Sequence, residues 1–321
     1  MNAQDVETRC RAIVDELSRT VIVDDEVLRT VLTGLLAGGH VMLEDVPGTG
    51  KTLTARTLAD ALGLSFSRVQ FTPDLLPSDV TGTDVFDEGS REFEFRPGPL
   101  FANVVLADEI NRASPKTQSA LLEAMEEEQV TVGGETHPLP TPFFVVATGN
   151  PVESEGTFEL PAAQRDRFML ETSIGYPDMD GELELIDRRA SRRATRPSTE
   201  QVCTAGEVEE LREAPEDVHV EPPVRRYVAS VTRATREDDR VATGVSPRGT
   251  ERLFEAARAR AAIGGREYVS PDEVKDVAPA ALAHRLILTA EARIEGVGKR
   301  EVVDDVLSTV EVPKLSGAER R

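Results

Sequence analysis

At 321 residues, with 39% hydrophobic and 30% charged residues, the chain carries apolar material for about two soluble domains rather than one compact core. Lys and Arg number 37 against 58 Asp and Glu, a net charge of −21 that argues against an obligate nucleic-acid binder or a protein held on anionic lipid. No stretch approaches the ~20 apolar residues of a membrane span, Met1–Leu17 lacks a signal peptide's apolar core, and the distant Cys10 and Cys203 exclude a disulfide framework, so a cytoplasmic location is expected.

The chain up to about residue 40 reads as helical, with Val27, Leu28, Val31, Leu32, Leu35 and Leu36 at helical spacing before Gly38-Gly39. Val41–Leu43 is a short buried strand, followed by a Gly/Pro turn and a helix from about Lys51 to Leu62. Val104–Ala107 and Phe143–Ala147 are further apolar strands. Apolar strands separated by helices predict a parallel sheet covered on both faces. Two stretches interrupt that alternation. Residues 83–98, around Gly89-Ser90, and residues 128–142, around Gly133-Gly134, each read as a hairpin beside the central strands.

From about Asp178 to Glu221 the composition turns to charges, Ser, Thr and Pro, including the arginine run Arg188–Arg196. The expected division is an α/β domain over 1–185, a linker over 186–218 and a small all-helical lid over 219–321 with a frayed tail. Ser246-Pro247 and Ser270-Pro271-Asp272-Glu273 each open a lid helix. His40, His137, His219 and His284 are scattered without metal-ligand spacing and read as structural or surface residues.

Pro47-Gly48-Thr49-Gly50-Lys51-Thr52, followed by Leu53, joins a strand to a helix. Glycines let backbone N–H groups approach a phosphate chain, Lys51 can reach its outer phosphates, and Thr52 can ligate Mg²⁺. Asp108-Glu109 end a hydrophobic strand, where open α/β sheets bind ligands. Asp108 suits the Mg²⁺ shell and Glu109 the polarisation of an attacking water. Asn150, in Thr148-Gly149-Asn150-Pro151, is placed to orient that water. In Arg165-Asp166-Arg167-Phe168 either arginine is a candidate to reach a neighbouring subunit's phosphate. Arg248 stands at the second position of a helix, where the macrodipole disfavours a cation and a bound phosphate would offset the cost.

Pro47–Thr52, Asp108–Ala113, the run Gln118–Glu127, Thr148–Pro151, Asp166–Phe168 and Ser246–Arg248 together resemble the MoxR family of AAA+ ATPases, over roughly residues 15–290. The resemblance implies a P-loop NTPase core, a Walker A motif at Gly48–Thr52, Walker B at Asp108 and Glu109, sensor 1 at Asn150, an arginine finger at Arg167 and sensor 2 at Arg248. It implies ATP and Mg²⁺ as ligands, with the nucleotide between P-loop and lid and Arg248 reporting its γ-phosphate. A homo-oligomeric ring, expected as a hexamer, would drive chaperone-like remodelling, maturation or metal-cofactor insertion of a client, often one with a von Willebrand factor A domain. A chelatase-type motor subunit and a nucleic-acid motor of the same branch stay open. Asp45 replaces the first Walker glycine, and Asp24 stands where relatives often carry glycine.

Basic residues other than Lys51, Lys116, Lys275, Lys299 and Lys314 are all Arg, and this carboxylate-rich, Lys-poor composition resembles that of salt-accumulating halophiles, where screening relieves self-repulsion. The melting temperature is therefore expected to rise between low-salt buffer and molar KCl, and a flat response would contradict the reading.

Overall fold

The computed structural model describes residues 1–149, 158, 160–191 and 198–314. The helical opening is two helices, α1 (Ala3–Thr20) and α2 (Asp25–Leu36). Each starts at a side-chain cap: Asn2 accepts from the Asp5 N–H, and Asp24 from the Glu26 N–H. These bonds satisfy donors that a first helical turn leaves orphaned, which gives Asp24 a local role.

The α/β portion continues through β1 (Val41–Glu44), α3 (Lys51–Ala61), β2 (Phe66–Gln70), α4 (Pro77–Thr81), β3 (Gly82–Asp87), β4 (Glu92–Pro97) and β5 (Val104–Asp108). After α5 (Pro115–Glu127) come β6 (Gln129–Val132), β7 (Glu135–Pro138), β8 (Phe144–Gly149), α6 (Ala162–Arg165) and β9 (Leu170–Thr172). The order β2-β5-β8-β1-β9 makes one parallel sheet. Along β5, Val104 and Leu106 enter one core while Val105 and Ala107 enter the other. A strand buried on both faces has no polar side, so it reads as an unbroken apolar run. Strands β2 and β9 escape that signature because β2 carries Ser67, Arg68 and Gln70 and β9 is three residues long.

Both hairpins form, as separate antiparallel ribbons: β3 with β4, and β6 with β7. They touch where the Phe95 ring stacks on His137, centroids 3.8 Å apart.

The remainder comprises α7 (Met179–Ser191), α8 (Ala205–Asp217), α9 (Pro222–Glu237), β10 (Val241–Thr243), α10 (Pro247–Ile263), α11 (Pro271–Leu282), β11 (Ile287–Leu288), α12 (Ala290–Ile294) and α13 (Lys299–Thr309). The lid is helical apart from the short β10–β11 ribbon. Residues 205–217, expected as linker, are instead α8: Thr204 and Glu207 form a capping box, and Val208 and Leu211 are buried. Charges cover the outer face of this helix, and its apolar stripe is too thin to dominate composition. Within the arginine run, Arg188 donates to the carbonyls of Ser18 and Arg19 at the end of α1, while Arg192, Arg193 and Arg196 lie outside the described residues.

Lid and sheet are joined by apolar packing and by one buried cation. Leu32, Val146, Leu253 and Val274 belong to a single buried cluster spanning both. The Arg285 side chain, 2% exposed, reaches Asp166 Oδ1 at 2.7 Å and the carbonyl of Phe168 at 2.8 Å. Burial pushes this guanidinium down to about 10, and the Asp166 carboxylate opposes the shift. A charge so far from water persists only when paired, so the segment before β9 is fixed against the lid. No helix among the described residues is long and apolar enough to cross a membrane.

Candidate nucleotide site and a second arginine site

β1 runs straight into the loop 45–50, and α3 begins at Lys51. Gly48 and Gly50 have φ of +92° and +95°, and no heavy atom lies within 4 Å of where a Cβ would stand. Left-handed backbone with an open inner face suits close approach of a phosphate chain at a helix N-terminus. A cavity of about 420 Å³ brings Pro47, Gly48, Gly50, Lys51, Thr52, Leu53, Asp108 and Glu109 together. Thr49 instead directs its hydroxyl to the Val46 carbonyl at 3.4 Å. Lys51 Nζ donates to the carbonyls of Asp45 and Val46 at 2.6 and 3.1 Å. Burial lowers its pKa, and Asp45, Asp108 and Glu109 raise it.

Asp45, the departure from the glycine pattern, is buried, and its carboxylate accepts from Ser173 Oγ at 2.7 Å and from the Ile174 and Gly175 N–H groups at 2.6 and 2.9 Å. Three bonds tie the start of the loop to the segment after β9, which a glycine could not do.

Strand β2 adds residues that the sequence pattern did not reveal. Its register places Gln70 beside Asp108. Arg68 Nη2 pairs with Asp108 Oδ2 at 2.7 Å, and Thr148 Oγ1 donates to Asp108 Oδ1 at 2.7 Å. Glu109 has φ +56° and its N–H donates to the same threonine hydroxyl. Its Oε2 accepts from Gln70 Nε2 at 2.6 Å and Arg112 Nη1 at 3.1 Å. The carboxylate next to the phosphate loop is therefore oriented through Oε2 by two side chains. The i, i+2 spacing of Arg68 and Gln70 is the one signal that could have marked them as sharing a strand face. Asn150 lies outside the described residues.

Arg167 and Arg248 come together, but not at the phosphate loop. Arg167 Nη2 lies 3.2 Å from Glu126 Oε2, and Arg248 Nη2 2.9 Å from Glu126 Oε1. Glu126 lies in the last turn of α5, which returns to the amino edge of the sheet: there His40, just before β1, hydrogen-bonds the Met125 carbonyl at 3.0 Å and accepts from the Val145 N–H at 3.1 Å. Arg167 precedes β9, which pairs in parallel with β1. The phosphate loop lies at the opposite, carboxyl edge, so the two places are separated by at least the length of β1, about 13 Å for four residues. This corrects the expectation that Arg248 reports on a phosphate bound by its own chain. The anion offsetting the cation at the start of α10 is Glu126. Arg165 is committed elsewhere, to Glu44 and Glu171 at 2.7 and 2.6 Å.

Known proteins resemble this chain in both its sheet and its lid. The profile of the ATPase family associated with various cellular activities (AAA) matches residues 40–170, and that of the AAA lid domain matches 233–306. YeaC of Bacillus subtilis is 45% identical over 96% of each chain. Chaperone MoxR1 of Mycobacterium tuberculosis is 43% identical over 98% of this chain and 85% of its own. The crystal structure of a candidate ATPase from Cytophaga hutchinsonii superposes with a TM-score of 0.90 at 39% identity, covering 97% of both chains.

Burial holds His40 neutral, its pKa lowered from 6.5 to about 4. Below pH 6.5 the unfolded chain takes up a proton there that the folded chain does not. The contribution is complete above 6.5 and is lost as pH falls towards about 4, about 3 kcal/mol in all. Chemical denaturation of His40→Gln should show a shallower decline over that window, and an unchanged slope would contradict the buried neutral imidazole.

Proposed function

The chain belongs to the MoxR family of AAA+ ATPases, enzymes that hydrolyse ATP, and we propose that it does so in sites completed by two adjacent copies. One copy supplies the phosphate loop, Asp108 and Glu109; the next supplies Arg167 and Arg248. The observation that carries this is the placement of both arginines at the amino edge of the sheet, a strand's length from the loop of their own chain.

Within such a site the N–H groups of residues 48–52 cradle the phosphates, and Lys51 exchanges two carbonyl partners for phosphate oxygens. Among the described residues no cluster of three or more His, Cys, Asp or Glu side chains can hold a metal. Thr52 and Asp108 beside a phosphate loop suit Mg²⁺, which keeps waters and phosphate oxygens in its shell. When bound, that ion would neutralise charge on the phosphates. Glu109, held through Oε2 by Gln70 and Arg112, orients the attacking water, with Asn150 assisting. Arg167 and Arg248 stabilise charge on the transferring phosphoryl group from across the boundary.

The assembly suited to this arrangement is a closed homo-oligomeric ring, which we take as a hexamer. Its heterologous contacts place each copy's arginines on the next copy's loop. Its work would be chaperone-like remodelling of a client protein, by analogy with the relative named a chaperone. The client could be one with a von Willebrand factor A domain, and the outcome could be its maturation or the insertion of its metal cofactor. A nucleic-acid motor is disfavoured by the charge of −21. The proposed division keeps the nucleotide domain at 1–185 and the lid at 219–321, and a cytoplasmic setting and a halophilic origin fit the composition.

Glu109→Gln should keep ATP affinity within about threefold and lose at least about 100-fold in turnover, the usual scale for a lost general base. Equilibrium ATP binding and phosphate release on the same preparation test this; turnover at the unsubstituted rate would remove Glu109 from the mechanism.

A further inference from the structure

Glu126 is the residue that both arginines meet, and no part of ATP cleavage requires it. Its two oxygens are divided, Oε2 to Arg167 and Oε1 to Arg248. Two guanidiniums this close repel each other unless an anion lies between them. A carboxylate with one oxygen for each is, in geometry and charge, a stand-in for two oxygens of a phosphoryl group.

The surroundings of the three side chains are fixed while their tips remain open to solvent. Met125 is held through its carbonyl by the buried His40 ring, which anchors the end of α5. Asp166 is held by Arg285 and by Ser246 Oγ, so the residues immediately before Arg167 and just ahead of Arg248 are joined to one another. Ser246 also caps α10, its hydroxyl accepting from the Gly249 N–H. By contrast the Arg167, Arg248 and Glu126 side chains are 31%, 35% and 35% exposed. They line a cavity of about 300 Å³ that is open to an incoming group. The backbones are held by hydrogen bonds and the tips are accessible, so the internal anion can be exchanged for an external one.

We propose that Glu126 is a resting-state latch, occupying Arg167 and Arg248 until the terminal phosphate on a neighbouring copy displaces it. The proposal rests on the two-copy site above and deepens it. Glu126 thereby raises the ATP concentration at which neighbouring copies lock together, because each phosphate must first win both guanidiniums from a carboxylate in the same chain.

The test measures, by light scattering with Mg²⁺, the ATP concentration giving half-maximal self-association in the Glu109→Gln background, where nucleotide is not consumed. Adding Glu126→Gln, which keeps shape and removes charge, should lower that midpoint about threefold to tenfold, the scale of two partly exposed ion pairs. Glu126→Met is carried in parallel and should shift it in the same direction, so a poorly folded Gln variant does not decide the matter. With Arg167→Ala and Arg248→Ala also present, removing the Glu126 charge should change nothing further. If the double arginine variant raises the midpoint while neither Glu126 variant lowers it, the latch is wrong and the two-copy site stands. If the double arginine variant leaves the midpoint where it was, the two-copy site fails, and the latch with it.

Discussion

A parallel sheet has two unlike edges, and everything else about this protein follows from which residues lie at which edge. Strands β1 and β5 end in the phosphate loop and in Asp108-Glu109 at the carboxyl edge. Helix α5 then carries the chain back, so Glu126, and with it Arg167 and Arg248, belong to the amino edge. A strand of four residues is too long for an arginine side chain to reach back over while its base is fixed. On the proposed reading, one copy therefore holds two halves of different sites, and catalysis requires assembly.

Keeping the two halves in register requires that lid and sheet act as a unit within each copy. The buried Arg285, clamped on Asp166 and the Phe168 carbonyl, supplies that connection beside Arg167. Apolar packing between the lid helices and the face of the sheet bearing α1 and α2 reinforces it. At the other edge Asp45 ties the loop to residues 173–175, so the cradle and the strand next to the arginine segment are joined through β9. Hydrogen-bonded steps thus connect the two edges within one copy.

Features written in local pattern were legible in the sequence. Lys51, Asp108 and Glu109 stand out because a phosphate loop and a terminal acidic pair need particular residue types at fixed offsets from apolar strands. The two hairpins were legible because period-two alternation around a glycine turn has few other solutions. What depends on pairing between distant segments was not. Arg68 and Gln70 matter through the register of β2 on β5, and Asp45 through a segment more than a hundred residues away. The partner of Arg248 was missed for the same reason: the position of a cation at a helix start indicates that an anion is needed but not whether it is a phosphate or the glutamate at the end of α5. Helix α8 was hidden by composition, since its surface charges outnumber the three buried residues, Val208, Leu211 and Pro215, that anchor it.

Subunit mixing tests the division of the site most directly. Lys51→Ala lacks a competent loop and Arg167→Ala lacks a competent arginine, so each alone should hydrolyse little ATP. Combined and allowed to exchange, they should regain phosphate release, with a maximum near equal proportions, because some boundaries then pair an intact loop with an intact arginine. Activity that stays at the sum of the two separate variants at every ratio would contradict a site shared between neighbours.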